Sequence, residues 1–427
     1  MPSNLSLLSS QSRVEVPFVK VTIGDYTFGV YAKSKYQTDN QYKVSNKVQY
    51  PNYVKSLQVK KINGKVNTYT LVLVYPITET DDPNFFDKVF SSVSKTRTIV
   101  FSYGDLSVPS FIYREEQAVI TDIKQDFQIQ SSVIQYTVSA VSSAFLATSG
   151  AYTFRATRDK PSNVIKELLY GDFGMLEIFT GMKNRDLVES YNLIPGGDRV
   201  VDLELHENTS PLDYLSYLVN CMKPSDINPN SIQQGSIYTL NIIDSTSNYN
   251  RSDENSEFIF DGPYFEIVRN NKNDDPIDTY VIDIGFPSQN IVTQFNIENN
   301  ENFSILYDYQ AKLNQSYYVQ RIDNDGNLEQ VYSPMISSKN PTFTTQEQDK
   351  TWWTKVTQYP IKVNLTLKGL LRPALLMSYV RLNVYFYGKK HNSSGLYILT
   401  QQIDNISEQG FKTSLSLTRV GGDNSQQ

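Results

Sequence analysis

Residues 397–417 read YILTQQIDNISEQGFKTSLSL. The segment Tyr397–Ile406 predicts an outgoing strand, and Ser407–Gly410 supplies a turn. On the returning strand, four alternate residues share one face: Phe411, Thr413, Leu415 and Leu417. A period of two is typical of a strand that buries one face. We therefore expect a long antiparallel hairpin with one face against a core.

A second hairpin of the same kind lies earlier in the chain. Val119–Phe127 predicts its outgoing strand, and Gln130–Ser132 its polar tip. The returning strand alternates through Ile134, Tyr136, Val138 and Ala140. Placing Ile134 on Phe411 sets this series and the C-terminal series in one register. The shared register indicates a diverged duplication of one β-unit.

Turn and cap signals extend each hairpin into a larger strand-rich segment. Asn63-Gly64 and Asp325-Gly326 each separate two strand-like runs, and such pairs favour tight hairpin turns. Val380–Tyr387 predicts a further strand. Asp82-Pro83 predicts the start of a short helix. The apolar residues on one face of that helix are Phe86, Val89 and Phe90.

The segment between the two β-rich parts has helical spacing. Pro161-Ser162 and Ser210-Pro211 each precede an apolar stripe of period 3.6, which predicts two amphipathic helices. The stripe residues are Val164, Ile165, Leu168 and Leu169 in the first helix, and Leu212, Leu215, Leu218, Val219 and Met222 in the second. Polar stretches at 244–257 and 270–276 border strand-like runs such as Tyr280–Ile284 and predict exposed loops.

These patterns predict a mainly β protein with an α+β insertion. The expected divisions are an N-terminal arm at 1–13, a first antiparallel β-rich domain at 14–150, a middle α+β domain at 151–300, a second antiparallel β-rich domain at 301–420 and a flexible tail at 421–427. The length of 427 residues agrees with several domains, because a single core of that size is unusual.

Composition excludes several classes of protein. The net charge of -6 leaves no basic excess for stable DNA binding. The single cysteine, Cys221, excludes an intrachain disulfide and predicts a reducing compartment of synthesis. The chain has no apolar run long enough to anchor it in a membrane, and Met1–Arg13 does not read as a signal peptide.

No catalytic, cofactor-binding or metal-binding residues are predicted. The two histidines, His206 and His391, form no zinc motif and read as surface or strand residues. Nucleotide-binding loops and a serine-hydrolase elbow are lacking. Asp323–Asn327 superficially resembles a calcium loop, but Arg321 stands at its first ligand position and Tyr332 at its last, so we predict a hairpin turn.

Paired acids and paired tryptophans are interpreted as structural features. The doublets Asp81-Asp82, Glu115-Glu116 and Asp274-Asp275 are expected at solvated turns and edges, since neighbours on a strand point to opposite faces and do not face each other across a sugar. Trp352-Trp353 is expected to place one ring in a core and the other in a domain or subunit contact.

Two segments resemble a known family. Ser394–Val420 is similar to the closing hairpin of tail baseplate hub proteins of phages, with Ser-Gly-Leu-Tyr, a turn that ends in Gly-Phe, and Thr-Ser-Leu-Ser-Leu. Ala151–Leu169, with Tyr-Thr-Phe-Arg before Lys-Pro-Ser-Asn-Val-Ile, resembles that family's passage from its first barrel into a helical insertion. The family has relatives in type VI secretion spikes and other contractile injection systems.

The resemblance implies a structural protein of the virion, assembled in the host cytoplasm, and not an enzyme. It implies a homotrimeric ring of six tail-tube-like barrels that adapts a sixfold tail tube or distal tail protein to a threefold spike, fibre or tail-tip protein. Other baseplate proteins are expected outside the ring, and DNA or a tape-measure protein in its lumen. No interface residue is carried over from the family, because its interfaces are not fixed as a motif. Since only Gly421–Gln427 follow Val420, no fused cell-wall enzyme is expected.

Two alternatives stay open. A carbohydrate-binding tail-tip or adhesin protein would use Trp352-Trp353 and tyrosine-rich loops to line a sugar groove. A glycan-degrading tail enzyme would need two carboxylates that face each other in a cleft.

Overall fold

The computed structural model describes residues 17–24, 26–31, 53–77, 81–91, 98–105, 113–170, 198–222, 237–243, 245–247, 264–270, 276–286, 291–299, 316–322, 328–334, 361–370, 374, 376, 378–391, 393–407 and 409–422. Most of these residues lie in antiparallel strands, and the expected class of a mainly β protein with an α+β middle is confirmed. None of the described helices is long and apolar enough to span a bilayer.

The first β-unit is a curved sheet with one helix. Its strands are β1 (Pro17–Ile23), β2 (Tyr26–Tyr31), β3 (Val54–Ile62), β4 (Thr68–Pro76), β5 (Thr98–Asp105), β6 (Tyr113–Gln128) and β7 (Val133–Ser142), and its helix is α1 (Phe85–Ser91). They are ordered β3-β4-β7-β6-β5-β1-β2, and every neighbouring pair is antiparallel. A short 3-10 turn, Ile129–Ser131, joins β6 to β7.

Alternation along these strands builds the first core. Five strands contribute side chains that are at most 1% exposed: Val21, Leu57, Leu71, Phe101 and Val138. Since they come from β1, β3, β4, β5 and β7, the sheet wraps around its own core. Helix α1 adds Phe86, whose ring centroid lies 4.8 Å from that of Tyr136. Burying such side chains stabilises a fold by about 1.5–3 kcal/mol each.

The middle region combines two helices with short strands. Its elements are β8 (Tyr152–Phe154), β9 (Thr157–Asp159), α2 (Pro161–Tyr170), β10 (Val201–Leu203), β11 (His206–Thr209), α3 (Pro211–Cys221), β12 (Ile237–Ile243), β13 (Ser245–Ser247) and β14 (Tyr264–Asn270). The side chain of Ser210 caps α3 by accepting from the Asp213 backbone amide, with Pro211 in the first turn. The rings of Phe154 and Tyr214 stack with centroids 3.8 Å apart and join α3 to β8.

The second β-unit repeats the curved sheet. Its strands are β15 (Asp278–Asp283), β16 (Val292–Asn299), β19 (Ile361–Leu367), β20 (Tyr379–Phe386), β21 (Lys389–Lys390), β22 (Gly395–Ser407) and β23 (Gly410–Gly422). A separate ribbon between them pairs β17 (Ser316–Ile322) with β18 (Leu328–Pro334). The order is β16-β19-β23-β22-β20-β15, and β15 runs parallel to β20. The core is built around Val363, Leu365, Leu382, Val384 and Leu415.

Most predicted elements are confirmed. The Asn63-Gly64 hairpin joins β3 to β4, with Gly64 at φ +68 as a tight turn requires. Helices begin at Pro161 and Pro211 as predicted. The helix predicted from Asp82-Pro83 begins later, at Phe85, because Asp82 first forms a turn by accepting from the Asn84 amide at 2.9 Å. The turn at Asp325-Gly326 lies outside the described residues.

Part of the stretch 244–257 was wrongly predicted as loop. Ser245–Ser247 forms strand β13 and pairs with residues 114–116 of β6. The stretch has no apolar alternation that would predict a strand, and its strand conformation is fixed by pairing with β6.

Strand pairing also bears on the predicted barrels and boundaries. Among the described strands, pairing closes neither unit into a barrel; β2 is the last strand of the first unit, and β15 and β16 are the two ends of the second. Strands β15 and β16 precede residue 301 and yet pair with β20 and β19. The backbone amide of Ile277 also donates to the Tyr379 carbonyl at 2.8 Å. We propose that the second β-unit begins near Ile277; the other predicted boundaries stay predictions.

Candidate assembly site: the outer halves of the two long hairpins

The two β-units have one strand order. In the first unit it is β3-β4-β7-β6-β5-β1, and in the second it is β16-β19-β23-β22-β20-β15. Six strands of the first unit therefore have a counterpart at the same place in the second, and β2 has none among the described strands. The six strands differ in one direction, since β1 is antiparallel to β5 whereas β15 is parallel to β20.

The long hairpins share an irregularity at the same position. The pairing of β6 with β7 shifts register between Ile120 and Asp122, and that of β22 with β23 between Leu399 and Gln401. The extra residue is Thr121 in the first hairpin and Thr400 in the second. Bulges re-aim a strand and are specific features of a fold.

The bulged threonines also make the same hydrogen bond. The hydroxyl of Thr121 donates to the Ser139 carbonyl at 3.1 Å, and that of Thr400 donates to the Ser416 carbonyl at 3.0 Å. When Thr121 is aligned with Thr400, Phe127 aligns with Ile406. The cross-strand partners of these two residues are Ile134 and Phe411. This is the register that the sequence alternation predicted.

A second shared bulge lies in the strands at the other side of each unit. Strand β3 shifts register against β4 between Val54 and Ser56, and β16 shifts against β19 between Val292 and Gln294. The alignment then places Leu57 at Phe295. Four equivalent strands with two equivalent bulges make the two β-units repeats of one structure.

The C-terminal hairpin joins the two units. The first part of β22 pairs with β20 of its own unit, and Gln401–Ser407 pairs with β3 of the first unit. Ile406 and Phe411 are 3% and 6% exposed and belong to the core of the first unit. At the surface of this joint, the Gln58 side-chain amide donates to Asn405 Oδ1 at 2.8 Å. The second unit thus completes the core of the first.

Buried polar groups lie beside this joint. Lys61 Nζ, on β3, lies 2.6 Å from Glu116 Oε1, on β6, and both side chains are at most 5% exposed. The Tyr103 hydroxyl donates to the same carboxylate oxygen at 2.7 Å. A buried ion pair needs good geometry and added hydrogen bonds to offset its lost hydration, and the Tyr103 hydroxyl supplies one such hydrogen bond.

A second buried polar group lies on β22 and β23. Asp404 is 1% exposed, and its Oδ1 accepts from the Thr413 hydroxyl at 2.6 Å. The hydroxyl oxygen of Thr413 in turn accepts from the Leu370 backbone amide at 2.9 Å. The network fixes the hairpin to the loop after β19.

The structure corrects one prediction about charged residues. Glu116 was expected at a solvated edge and is fully buried instead. The alternation of inward-facing residues along each strand would have predicted the Lys61–Glu116 pair. Lys61 follows Leu57 and Val59 on one face of β3, and Glu116 precedes Ala118 and Ile120 on one face of β6. Two opposite charges on inward faces of one core are expected to meet.

The other sequence candidates lie apart from one another. His206 begins β11 and packs on Tyr217 with ring centroids 4.0 Å apart, whereas His391 follows β21 and its Nδ1 lies 2.8 Å from the Ser393 hydroxyl. Cys221 is buried in the middle region. The parts of the chain that the structure describes hold no cluster of three metal-ligating side chains. Asp274-Asp275, Asp323–Asn327 and Trp352-Trp353 lie outside them.

The fold of this chain is similar to that of a solved tail protein. The tail protein from Neisseria meningitidis MC58 matches with a TM-score of 0.51 at 10% identity, over 94% of this chain and 96% of that one. This likeness confirms, at the level of the fold, the resemblance to tail proteins predicted from the sequence. No family model matches the sequence, and no curated protein matches it.

Two further solved structures align with lower scores. The 43 kDa tail protein of prophage MuSo2 from Shewanella oneidensis has a TM-score of 0.49 at 9% identity, over 94% of this chain and 98% of that one. An Escherichia coli component of the type VI secretion system has a TM-score of 0.41 at 7% identity, over 87% of this chain and 74% of that one.

Proposed function

We propose that the chain is a non-enzymatic structural subunit of a phage tail, a baseplate hub. Three copies form a ring of six β-units. One side of the ring faces a sixfold tail tube or distal tail protein, and the other faces a threefold spike, fibre or tail-tip protein. Other baseplate proteins bind outside, and DNA or a tape-measure protein passes through the lumen. The ring works in the virion after assembly in the host cytoplasm.

The internal repeat carries this proposal. A closed ring must present an equivalent contact to each neighbour. A chain with two copies of one β-unit supplies two such contacts per subunit, so three chains supply six. The joint between β22 and β3 is one of them, already formed within the chain.

The mass and symmetry of the assembled protein test the proposal. We expect particles of three times the 48.8 kDa of the chain in analytical ultracentrifugation. Electron microscopy of the same sample is expected to show rings with six peripheral densities. A chain that stays monomeric at tens of micromolar, or a ring of another number of copies, contradicts the proposal.

A further inference from the structure

The joint between β22 and β3 has an unpaired counterpart elsewhere in the molecule. The counterpart of Gln401–Ser407 is Asp122–Gln128 of β6, and the counterpart of β3 is β16. Among described strands, Asp122–Gln128 pairs on one side only, with β7, and β16 pairs only with β19. Each of these two edges therefore offers a row of backbone donors and acceptors.

The exposed fraction of apolar side chains differs between equivalent positions of the two hairpins. This difference is expected if one joint is formed and the other is open. Ile406 is 3% exposed, whereas its counterpart Phe127 is 61% exposed. Ile129, at the tip after β6, is 90% exposed. On the receiving strand, Leu57 is 1% exposed, whereas its counterpart Phe295 is only partly buried. Both surfaces leave apolar side chains uncovered where the formed joint covers them.

The register of the formed joint predicts the chemistry of the open one. In the formed joint, Ile406 pairs with Leu57, Asn405 with Gln58 and Ile403 with Lys60. When the two units are aligned on their shared bulges, the corresponding pairs are Phe127 with Phe295, Asp126 with Asn296, and Lys124 with Glu298. These are an aromatic pair, an acceptor opposite an amide donor, and opposite charges. Each type of pair stabilises neighbouring strands.

The Asp126–Asn296 pair repeats a contact that the formed joint makes. There the Gln58 amide donates to the Asn405 carbonyl oxygen at 2.8 Å. In the open joint an Asn296 amide would donate to the Asp126 carboxylate, with donor and acceptor on the same strands as before.

We propose that Asp122–Gln128 of β6 pairs antiparallel with β16 of a second copy of this chain, with Phe127 opposite Phe295. Within the described chain these two strands are not paired with each other, and six strands of the sheet lie between them. The contact joins different surfaces of the two copies, and a contact of this kind builds a ring when the rotation between successive copies closes. This inference rests on the proposed ring and assigns its contact between subunits, which then alternates with the joint inside each chain.

Disulfide trapping tests the register. One chain carries Asp126→Cys and another carries Asn296→Cys, and the two are mixed under mild oxidation. Adjacent partners in this register fall within the Cα distance that a disulfide spans. The native Cys221 is buried and does not compete. We expect disulfide-linked dimers on a non-reducing gel, about tenfold above either variant alone. A chain with both substitutions is expected to give a closed covalent ring.

Two matched pairs serve as controls. Asp122→Cys mixed with Asn296→Cys lies four residues out of register, roughly 13 Å along the strand, and is expected not to cross-link. Gln58→Cys with Asn405→Cys in one chain reproduces the formed joint and is expected to give an intrachain bridge without dimers.

The outcomes separate this inference from the proposed function. A trimer by ultracentrifugation that does not cross-link, or cross-links equally in the shifted pair, overturns the inference and leaves the ring proposal standing. Specific cross-links in a closed assembly of another size support the inference and overturn the trimer. A monomer without cross-links at tens of micromolar overturns both.

Removal of one aromatic side chain gives an independent readout. Phe127→Ala is expected to weaken self-association about tenfold or more, because central aromatic residues dominate such contacts. The matched control is Phe286→Ala, whose ring is similarly exposed at 54% but lies outside both surfaces. Equal effects of the two substitutions contradict the inference.

Discussion

Lys61 and Glu116 form a buried ion pair in the first β-unit. Their charged groups lie 2.6 Å apart and are nearly inaccessible to water. Lys61→Met leaves the carboxylate buried without its cation, so we expect the free energy of unfolding in urea to fall by about 3–5 kcal/mol. In the double variant Lys61→Met, Glu116→Leu most of that loss is expected to return, because no charge is then left buried.

An exposed ion pair provides the control for that measurement. Arg158→Met removes the partner of Asp202, at 3.7 Å, with both side chains mostly exposed. This substitution is expected to lower the free energy of unfolding by less than about 1 kcal/mol. A loss of similar size for Arg158→Met and Lys61→Met would falsify the view that burial determines the effect.

Tyr397 makes stability depend on pH in the alkaline range. Burial raises the pKa of its phenol to about 12, although Arg419 acts in the opposite direction. The neutral hydroxyl donates to the Ser393 carbonyl at 2.6 Å. A folded-state pKa above the ordinary value of 10 means that the contribution is complete below pH 10 and is lost as the pH rises toward 12.

Tyr397→Phe is therefore expected to flatten the fall in thermal stability between pH 10 and about 12, as calorimetry would record it. Tyr387→Phe, at a ring that is 78% exposed, is the matched control and is expected to leave the profile unchanged. A profile for Tyr397→Phe that is parallel to the native one would exclude this phenol as a cause.

Among the elements, the paired hairpins allow one substitution to be compared at equivalent positions. Ile406→Ala opens a cavity in the first core, so we expect the free energy of unfolding to fall by about 2–5 kcal/mol. Phe127→Ala, at the counterpart position, is expected to change it by less than about 0.5 kcal/mol in dilute monomer, because that ring is 61% exposed. Urea unfolding of both variants measures the difference. Equal losses in the free energy of unfolding would contradict the view that one joint is formed and the other is open.

The same elements show what the sequence can and cannot predict. Alternation predicted both hairpins and their shared register, since burial of one face imposes a period of two. It could not predict that Gln401–Ser407 leaves its own unit to pair with β3, because strand edges pair through backbone groups that every residue carries. The sequence does not predict the bulges at Thr121 and Thr400 for the same reason. Strand β13 was missed because its three residues, Ser245–Ser247, bury no apolar stripe.

At the scale of the whole molecule, charge sets how the proposed ring treats nucleic acid. The chain carries 39 basic and 45 acidic residues, so each added copy makes the assembly more negative. Retention of duplex DNA depends on cationic side chains that release counterions from phosphates. A lumen through which DNA passes must not hold it, and a net negative protein supplies no overall attraction for phosphates.

We therefore expect the assembled protein to show no binding to duplex DNA at about 0.15 M salt, whereas ordinary nonspecific binders have dissociation constants of about 10⁻⁴–10⁻⁶ M. Fluorescence anisotropy of a labelled duplex, titrated with protein to tens of micromolar, measures this. The same titration at about 0.05 M salt is the control, because weak binding through local basic groups would appear there first and disappear as salt screens it. Binding at micromolar concentration that persists at the higher salt would show a dedicated nucleic-acid surface and contradict passage without binding.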